Sequence, residues 1–581
     1  MTDRKRRLKD DSDLESGSDI QQEDFDSEDY EDWWLSCTTS SARISSSNSI
    51  ADTSGGSSLH NAISDNKDWQ IINDVHEDCS PEIRLFVADS GPVYCPNSSN
   101  PIDYFDQFFM PSDDSGVNLW HHILAETNKY REMLLKQPTT YPNAVIRQLG
   151  VVTLPQLKAF IGVTMNMGLV QMPSCESYWT KSYANLDVPF FASIFRASTY
   201  RSLSRVFHVA NNDEAQPRCS LSYDPSHKFR SVLDHFNKAW KRNYNLGRTI
   251  SIDEAIVNLK SRRSSVKYTK MKEQPEWSPK EYNLCDSVTG YCYHTKYHLT
   301  SGTYSESGHS YDVCADLMSS LHHKNHHLYV DSHYTSVKLC ETFLEQGTYV
   351  TGTVEPNCKY LPSFMKEKLQ RDEYKVAKKN ELMAINWMAN KPVLLLSTCS
   401  SAAPVEIKNK RGRKIVIPGV VDEYSKHMEG VALSDRLTNC YSAERKTIKR
   451  WKEIVFHLID RTVTNAYLLY KHNPNRSRRT MNHYEFVTKL VLQLVGEYRE
   501  PYRKAGQPSC SQLAVARLVE RHFAETVADG KRKTCAVCSS GALVGKPRTR
   551  KVRTFCPDCS VGLCVPNCFR YYHTEHCVMY N

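Results

Sequence analysis

The amino-acid sequence predicts an α+β protein of several domains, in which a mixed sheet interrupts a helical region. Its 581 residues are enough for three or four domains with a sizeable core. Apolar residues recur with the helical period near both ends of the ordered region, whereas strands and helices alternate in the middle. Seven of the 20 cysteines lie in the last 47 residues, which predicts a separate cysteine-rich module there.

The composition argues against a membrane or secreted protein. Hydrophobic residues make up 40% of the chain, and the longest apolar runs are short, as in VLLL at 393–396. A membrane-spanning helix needs about 20 apolar residues, so we expect no membrane partner. The start, MTDRKRRLKDDSDLE, lacks the apolar core of a secretory signal. We therefore expect an intracellular protein with reduced or metal-bound cysteines, and the run RKRR (4–7) indicates the nucleus.

Charge is distributed unevenly along the chain. Residues 1–34 carry thirteen acidic and five basic side chains, a net charge of −8, while the whole chain carries +8, which leaves about +16 for the rest. A Ser-rich tract (40–58) follows, and we expect residues 1–100 to be disordered. A basic body with an acidic arm favours nucleic acid as a partner; the alternative is a solvated acidic tail without one.

The middle of the chain predicts a ribonuclease H-like core. A strand pattern at RTISID (248–253) precedes a hairpin around the turn SVTG (287–290). A helix, a strand, a second helix and a last strand follow, at 311–321, 327–331, 336–347 and 348–354. In a ribonuclease H-like fold with this order the first and fourth strands are neighbours. Asp253 and Asp331 end those two strands, so we expect them side by side.

Two adjacent carboxylates could hold Mg²⁺ for phosphoryl transfer, because this ion prefers oxygen ligands. The alternative is that each aspartate only caps a strand end. A third ligand is expected from HMEGVALSD (427–435), where Asp435 and Glu429 are the available carboxylates. The histidine-rich run HHKNHH (322–327) falls between a helix and a strand, and we expect it to be solvated.

Helical patterns flank this core, at 117–135, 154–170 and 199–213 before it and at 450–472 after it. Residues 356–417 break the pattern and include the strand KPVLLLSTC (391–399). They also include KNKRGRK (408–414), in which five of seven residues are basic. We interpret this segment as an insertion into the core.

The C-terminal cysteines and histidines fall into closely spaced pairs that suit tetrahedral Zn²⁺. Interleaving the pairs gives two structural zinc sites, and such a short module should fold only with the metal. The predicted ligands are Cys535, Cys538, Cys564 and Cys568 for one ion, and Cys556, Cys559, His573 and His576 for the other, with Cys577 as the alternative eighth ligand.

Basic strings on the same module, KRK (531–533) and KPRTRKVR (546–553), favour contact with nucleic acid. Cross-braced zinc modules also bind histone tails or other proteins, which is the alternative. The predicted DNA-binding residues are Lys531, Arg532, Lys533, Arg548, Arg550, Lys551 and Arg553, together with Lys410, Arg411, Arg413 and Lys414 of the insertion.

From about Phe105 to His573 the sequence resembles the piggyBac family of transposases and their domesticated relatives. The matching segments are FDQFF (105–109), ETNKY (126–130), FIGVTMNMGLVQMPSCESYW (160–179), HVANN (208–212), YDPSHKFRSVLDHF (223–236), SIDEAIV (251–257), LCDSVTGY (284–291), YVDSHYTS (329–336), RKTIKRW (445–451) and the terminal Cys/His array.

The resemblance implies a helical dimerisation and DNA-binding domain split around a ribonuclease H-like catalytic domain, and hence a homodimer on double-stranded DNA. The chemistry it implies is metal-dependent, hairpin-forming excision and integration at TTAA, with three aspartates holding the metal. Asp253 and Asp331 match the first two. The family's third segment resembles G-V-D-x-x-D and reads GVALSD (430–435) here, so Ala432 takes the catalytic place and Asp435 matches an auxiliary Asp.

Alanine offers no ligand, and Asp435 lies one helical turn away, roughly 4.5 Å along the axis. That offset is large beside a Mg²⁺ shell of about 2.1 Å. Ser261, Ser278-Pro279 and Ser332 also depart from the family pattern. We interpret the chain as a domesticated nuclear DNA-binding protein without cleavage. The alternatives are an active transposase, rescued by Asp435 or Glu429 and using Mg²⁺, and a chromatin or protein-interaction factor that acts through its zinc module.

Composition and resemblance together divide the chain into a disordered arm (1–100), a helical domain in two parts (101–247 and 441–528), a ribonuclease H-like core in two parts (248–355 and 418–440), an insertion domain (356–417) and a zinc-binding domain (529–581).

Overall fold

The computed structural model describes residues 68–73, 83–111, 116, 118–137, 145–180, 187–217, 219–220, 222–256, 280–298, 305–408, 414–442, 449–475, 480–500, 522–527, 531–540 and 548–574. Contacts divide the chain into two compact units, Met1–Tyr498 and Arg499–Asn581. Within the described ranges no helix is both long and apolar enough to cross a membrane.

A nine-stranded mixed sheet forms the centre of the first unit. In chain order the first eleven strands are β1 (Gln70–Ile72), β2 (Gly91–Pro92), β3 (Tyr244–Asn245), β4 (Thr249–Ile256), β5 (Lys280–Asp286), β6 (Cys292–His298), β7 (His326–Val330), β8 (Thr348–Thr353), β9 (Tyr374–Lys379), β10 (Leu382–Met388) and β11 (Pro392–Ser397). The strand order in the sheet is β1-β9-β10-β11-β8-β7-β4-β5-β6, and the two remaining strands, β2 and β3, pair with each other.

The pairing of β4 with β7 decides where the candidate site lies. These two strands run parallel, with Ile252 opposite Val330. Asp253 is the next residue of β4, and Asp331 is the first residue after β7. The two aspartates therefore occupy equivalent positions on adjacent strands. On the other edge of β4, strand β5 pairs antiparallel with β4, and β6 pairs antiparallel with β5. Strand β8 pairs parallel with β7. The predicted adjacency of the first and fourth core strands is confirmed.

Helices before and after the sheet share one apolar core. Phe105, Phe160, Leu458 and Leu490 all belong to the same buried cluster. The helices are α1 (Pro101–Asp106), α2 (Leu119–Lys136), α3 (Leu154–Leu169), α4 (Pro189–Ile194), α5 (Ala197–Val206), α6 (Arg230–Asn243), α7 (His309–Met318), α8 (Val337–Glu345), α9 (Gly419–His427), α10 (Gly430–Cys440), α11 (Arg450–Lys471) and α12 (His483–Val495). The helical patterns predicted at 154–170 and 450–472 correspond closely to α3 and α11.

The predicted insertion, 356–417, extends the central sheet. Its strands β9, β10 and β11 pair in succession, and β11 joins the edge of β8. Residues of β10 and β11 are almost all buried, which explains why their apolar runs lack a two-residue period. A separate hairpin of β12 (Pro404–Lys408) and β13 (Lys414–Pro418) brackets the basic cluster. Lys410, Arg411 and Arg413 lie outside the described residues.

Two segments within residues 1–100 correct the expectation that this whole stretch is disordered. Strand β1 pairs antiparallel with β9, and the Trp69 side chain is buried, with its indole N–H donating to the Tyr360 carbonyl at 3.0 Å. Strand β2 pairs with β3. The composition of the arm is polar on average, but WQII (69–72) carries enough apolar surface to add one strand to an existing edge.

The histidine-rich run is also corrected. His326 and His327 begin β7 and are buried. His326 bonds the Gly247 carbonyl through Nδ1 at 2.9 Å, and burial, aided by Arg248, lowers the pKa of His327 to about 3. Strand β7 therefore starts one residue before the predicted strand, and both of these histidines are uncharged parts of the sheet.

The second unit consists of short elements around buried cysteines. Four of the seven residues in its apolar cluster are cysteines, so its interior is made largely of potential metal ligands. The elements are β14 (Glu525–Thr526), β15 (Lys533–Thr534), α13 (Ala536–Ser540), β16 (Lys551–Val552), β17 (Thr554–Cys556), β18 (Val561–Gly562) and α14 (Asn567–Thr574). The unit as described includes residues from 522 onward, earlier than the predicted start at 529.

Candidate metal centres and basic surface

Asp253, within β4, and Asp331, the first residue after β7, form a carboxylate pair at equivalent positions on the two adjacent strands. Asp253 accepts a hydrogen bond from the Glu254 backbone N–H at 2.7 Å, and Asp331 accepts one from the His333 N–H at 2.9 Å. Burial and the negative charge of Asp331 raise the pKa of Asp253 well above its usual value, and burial raises the pKa of Asp331. Two like charges held this close need a cation or a proton, and oxygen donors of this kind fit Mg²⁺.

The nearest further acidic residue, Glu254, is already paired. Its carboxylate lies 3.1 Å from Lys280 Nζ and 3.5 Å from His333 Nε2. Ser332, one of the departures from the family pattern, donates to Glu355 at 3.0 Å. Ser261 and Ser278-Pro279 lie outside the described residues. Among the described residues, we therefore assign the candidate site to Asp253 and Asp331, which follow the paired residues Ile252 and Val330.

Helix α10 contains Ala432, the position at which the third carboxylate was expected. Its first residue, Gly430, packs so closely on β4 that a Cβ there would lie 2.5 Å from Ser251 Oγ. Ala432 is exposed. Asp435 lies near enough to add to the negative potential at Asp253, but its Oδ1 is 3.0 Å from Arg461 Nη2. Glu429 is paired with Arg436 at 3.4 Å. Both carboxylates considered as substitutes therefore have basic partners.

A buried ion network lies behind α10, and sequence reasoning missed it. The side chains of Arg461 and Glu281 are fully buried, with Arg461 Nη2 3.3 Å from Glu281 Oε2. His457 Nε2 lies 3.0 Å from the same Glu281 oxygen. Burial alone would raise the pKa of Glu281, but Arg461 and His457 hold it at about 2. The available signal was Glu281 itself, a charged residue in a strand whose later residues, from Tyr282 to Asp286, are all buried.

The first cysteine set contains the four residues that the sequence assigned to one ion. Cys535, Cys538, Cys564 and Cys568 place their sulfurs within 4.8 Å of one another. Cys538 Sγ is 3.8 Å from Cys564 Sγ and 3.7 Å from Cys568 Sγ. Tetrahedral zinc with Zn–S bonds of about 2.3 Å requires sulfurs roughly 3.8 Å apart. The set could therefore hold zinc with little movement.

The second set is completed by His522, which the sequence analysis did not name. It groups with Cys556, Cys559 and His573 within 4.8 Å. His522 Nδ1 is 3.4 Å from Cys556 Sγ and 3.5 Å from Cys559 Sγ, while His573 Nε2 is 3.6 Å from Cys559 Sγ. These separations also suit zinc, since Zn–N bonds of about 2.0–2.1 Å and Zn–S bonds of about 2.3 Å place N and S roughly 3.6 Å apart.

His522 takes the fourth place for which His576, or alternatively Cys577, was predicted; those two residues lie outside the described ranges. His522 was missed because it precedes Cys556 by 34 positions and lies outside the dense C-terminal array. The imidazole of His573, the other histidine of the set, is oriented by the Phe569 carbonyl one helical turn earlier, which lies 2.8 Å from Nδ1.

The two basic strings of the second unit lie on adjacent strands. Strands β15 and β16 pair antiparallel, with Lys533 opposite Val552. Lys533 is partly buried, with its ammonium 4.4 Å from the Phe555 ring centre. The predicted DNA-binding residues of this unit that are exposed are Lys531, Arg532, Arg548, Arg550, Lys551 and Arg553. Lys414, from the insertion cluster, is exposed and paired with Glu406 at 2.6 Å.

Comparison with known proteins identifies the class. The pattern of the transposase IS4 family matches residues 100–467, well over half of the chain, which therefore belongs to that family. Within it the chain is of the piggyBac type. Human PiggyBac transposable element-derived protein 5 is 23% identical over 435 residues, covering 71% of this chain and 78% of that protein. Human PiggyBac transposable element-derived protein 2 is 21% identical over 394 residues, covering 64% and 62%.

A solved structure shares the fold. The cryo-EM structure of a piggyBac transposase synaptic complex with hairpin DNA superimposes with a TM-score of 0.65 at 20% identity, covering 84% of this chain and 99% of that chain. At this identity the likeness shows the fold.

Proposed function

We propose that this chain is a piggyBac transposase-derived protein that binds double-stranded DNA in the nucleus without excising it. The proposed loss of cleavage rests on one observation. The position expected to carry the third carboxylate is the exposed Ala432, and Asp435 is hydrogen-bonded to the buried guanidinium of Arg461. Two carboxylates alone supply fewer negative oxygen ligands than two-metal phosphoryl transfer requires. Divalent metal should therefore bind weakly.

The fold supports this assignment in a specific way. The strand order β6-β5-β4-β7-β8, with an antiparallel hairpin followed by two parallel strands, agrees with the order expected of a ribonuclease H-like core and supports the proposal. In such a core Mg²⁺ would be held by Asp253 and Asp331 and would stabilise negative charge on a transferring phosphoryl group. In this chain those two residues would hold the cation with fewer carboxylate oxygens than three aspartates would supply.

DNA contact is assigned to the zinc-binding unit. Two structural Zn²⁺ ions fix β15 and β16 in place, and the exposed basic side chains on these strands and their flanks contact phosphate. Support comes from the charge of the unit and from the relative solved with hairpin DNA. We further propose that the helical region forms a homodimer, which would present two basic surfaces to one duplex.

The test is a DNA-binding and nicking experiment on the full-length protein loaded with two equivalents of zinc. Labelled TTAA-flanked duplex is titrated in Mg²⁺-free buffer and again with Mg²⁺, and both affinity and strand integrity are measured. We expect equal affinity in both buffers and an intact duplex. Mg²⁺-dependent nicking that is absent in Asp253→Ala would favour an active transposase, whereas absence of DNA affinity would favour a protein-interaction factor.

A further inference from the structure

Arg461 links Asp435 to a buried network of charged side chains. Besides the bond from Nη2 to Asp435 Oδ1, at 3.0 Å, Nη1 donates to Ser434 Oγ at 3.2 Å. The same Nη2 is 3.3 Å from Glu281 Oε2. One guanidinium thus bridges α11, β5 and two consecutive residues of α10. Arginine is always charged in proteins and has no acceptor, so these contacts are its means of compensating a buried charge.

Charge balance explains why Asp435 stays with Arg461. Two carboxylates share the Arg461 guanidinium, with Nη2 3.0 Å from Asp435 Oδ1 and 3.3 Å from Glu281 Oε2. Asp435 is the second carboxylate on the same cation, with its side chain 25% exposed while Arg461 is fully buried. Moving Asp435 toward a metal ion would leave the buried network short of one negative partner, and breaking a buried pair on one side is strongly unfavourable.

Two contacts hold helix α10 against β4 and α11. Its N-terminal end is fixed by the contact of Gly430 with β4. Further along, Thr438 Oγ1 donates to Thr464 Oγ1 of α11 at 3.2 Å, and both side chains are buried. Any approach of Asp435 therefore depends on a side-chain rotation away from Arg461.

We propose that Arg461 is a positioning residue that holds Asp435 in the buried network and prevents it from joining Asp253 and Asp331 as a third ligand of a divalent cation. The inference deepens the proposed function and rests on it in one respect, namely that Asp253 and Asp331 are the residues that hold the cation. It explains why a carboxylate one turn from Ala432 does not replace the missing ligand.

The experiment measures Mn²⁺ affinity by electron paramagnetic resonance in the full-length, zinc-loaded protein, since Mn²⁺ accepts the same oxygen ligands as Mg²⁺. Asp435→Asn in the wild-type background should change the affinity by less than twofold. The double variant Glu281→Leu/Arg461→Met removes both buried charges together and should raise the affinity at least threefold. Adding Asp435→Asn to that double variant should abolish the gain. This dependence on Asp435 is a readout that a merely structural role of Arg461 would not produce.

Two results overturn the inference: a loss of affinity in Asp435→Asn as large as that in Asp331→Asn, or no gain in the double variant. The first of these uses a near-isosteric change at a partly exposed site, so it stays informative if the double variant folds poorly. Failure of the proposed function looks different. In that case Asp331→Asn leaves Mn²⁺ affinity unchanged in the wild-type background, whatever the double variant does.

Discussion

The two kinds of candidate metal centre in this chain differ in completeness. In the second unit, each of two Cys/His sets brings four ligand atoms together at separations that suit zinc. In the first unit, Asp253 and Asp331 occupy equivalent positions on adjacent strands, the position that the resemblance assigns to a third aspartate is Ala432, and Asp435, one helical turn further, is bonded to Arg461. Each set of the second unit offers four ligands, whereas the proposed carboxylate site of the first unit offers two.

The difference follows from what each ligand does for folding. The cysteines of the second unit are also its buried core, so losing one weakens the fold itself. The carboxylates of the first unit repel each other, and losing one of that group relieves repulsion without disturbing the apolar clusters. Sequence change can therefore remove the cleavage site while the basic module persists, which is the combination that the proposed function requires.

Zinc removal gives the largest expected effect. Structural zinc contributes about 10–16 kcal/mol to the folding of small modules, so a strong chelator should unfold the second unit. Metal analysis should find two Zn²⁺ per chain, as the two sets imply, and chelation should make residues after Arg499 sensitive to protease. A chelated chain that resists proteolysis there would contradict the account.

A matched pair of variants tests the ligand assignment. His522→Ala should reduce the zinc content from two ions to one, because it removes a member of the second set. His576→Ala, the ligand expected from the sequence, should leave two ions bound. The reverse outcome would restore His576 as the eighth ligand and remove His522 from the site.

The buried network gives the next largest effect. Glu281→Gln leaves Arg461 without its main partner and should destabilise the first unit by about 3–5 kcal/mol. Glu281→Leu/Arg461→Met removes one buried charge of each sign and should cost less than Glu281→Gln, with a remaining cost because Asp435 and His457 lose their partners. Urea unfolding followed by tryptophan fluorescence reports this unit specifically, because all nine tryptophans precede residue 499. Equal losses in the two variants would mean that the network contributes by packing alone.

The same network sets an acid limit. Since the pKa of Glu281 is depressed to about 2, its contribution to stability is fully present above the unfolded value of about 4.3. It should decline as pH falls from there toward 2. In Glu281→Leu/Arg461→Met this part of the pH dependence should be absent, which the same fluorescence measurement can check.

DNA affinity should show an intermediate effect. Replacing Arg548, Arg550, Lys551 and Arg553 with glutamine should weaken duplex binding at least tenfold, about 1.4 kcal/mol. It should also lower the salt slope by up to roughly 0.9 per lost phosphate contact. The control replaces four exposed basic residues of the first unit, Lys366, Lys368, Arg371 and Lys391, with glutamine. Equal losses in both variants would mean that net charge, not this surface, drives binding.

The smallest effect is expected at the carboxylate pair. Asp253→Asn should raise the free energy of unfolding of the first unit slightly, because burial and like-charge repulsion with Asp331 raise the pKa of the Asp253 carboxyl and the variant removes that charge. A carboxyl group whose pKa is higher in the folded than in the unfolded protein lowers the stability of the fold at pH values above the unfolded pKa. The gain should therefore be present at neutral pH and disappear in acid. Destabilisation by this variant at pH 7 would argue against the repulsion.

Local patterns predicted much of this structure. The adjacency of the strands that carry Asp253 and Asp331 was predicted correctly, because core strand order fixes which strands are neighbours. The predicted end of the first strand was wrong, since β4 continues past Asp253 to Ile256. The four cysteines of the first zinc set were grouped by spacing alone. In both cases the decisive residues are close in sequence or are constrained by a single pairing.

Long-range contacts that no local motif marks were not predicted. His522 joins its set from 34 positions before Cys556, and Arg461 meets Glu281 across 180 positions. Within the long amphipathic helix, nothing local distinguishes a buried arginine from a solvated one. Strand β1 was missed because its stability comes from the edge of β9, not from its own sequence.

An excision assay tests the central claim most directly. Cells carry a reporter interrupted by a TTAA-flanked element with piggyBac-type ends and express wild type, Ala432→Asp or Asp253→Ala at matched levels. The account predicts no excision by wild type or by Asp253→Ala, and at most partial recovery in Ala432→Asp. Excision by wild type that disappears in Asp253→Ala would contradict it and would show an active transposase with a relocated third ligand.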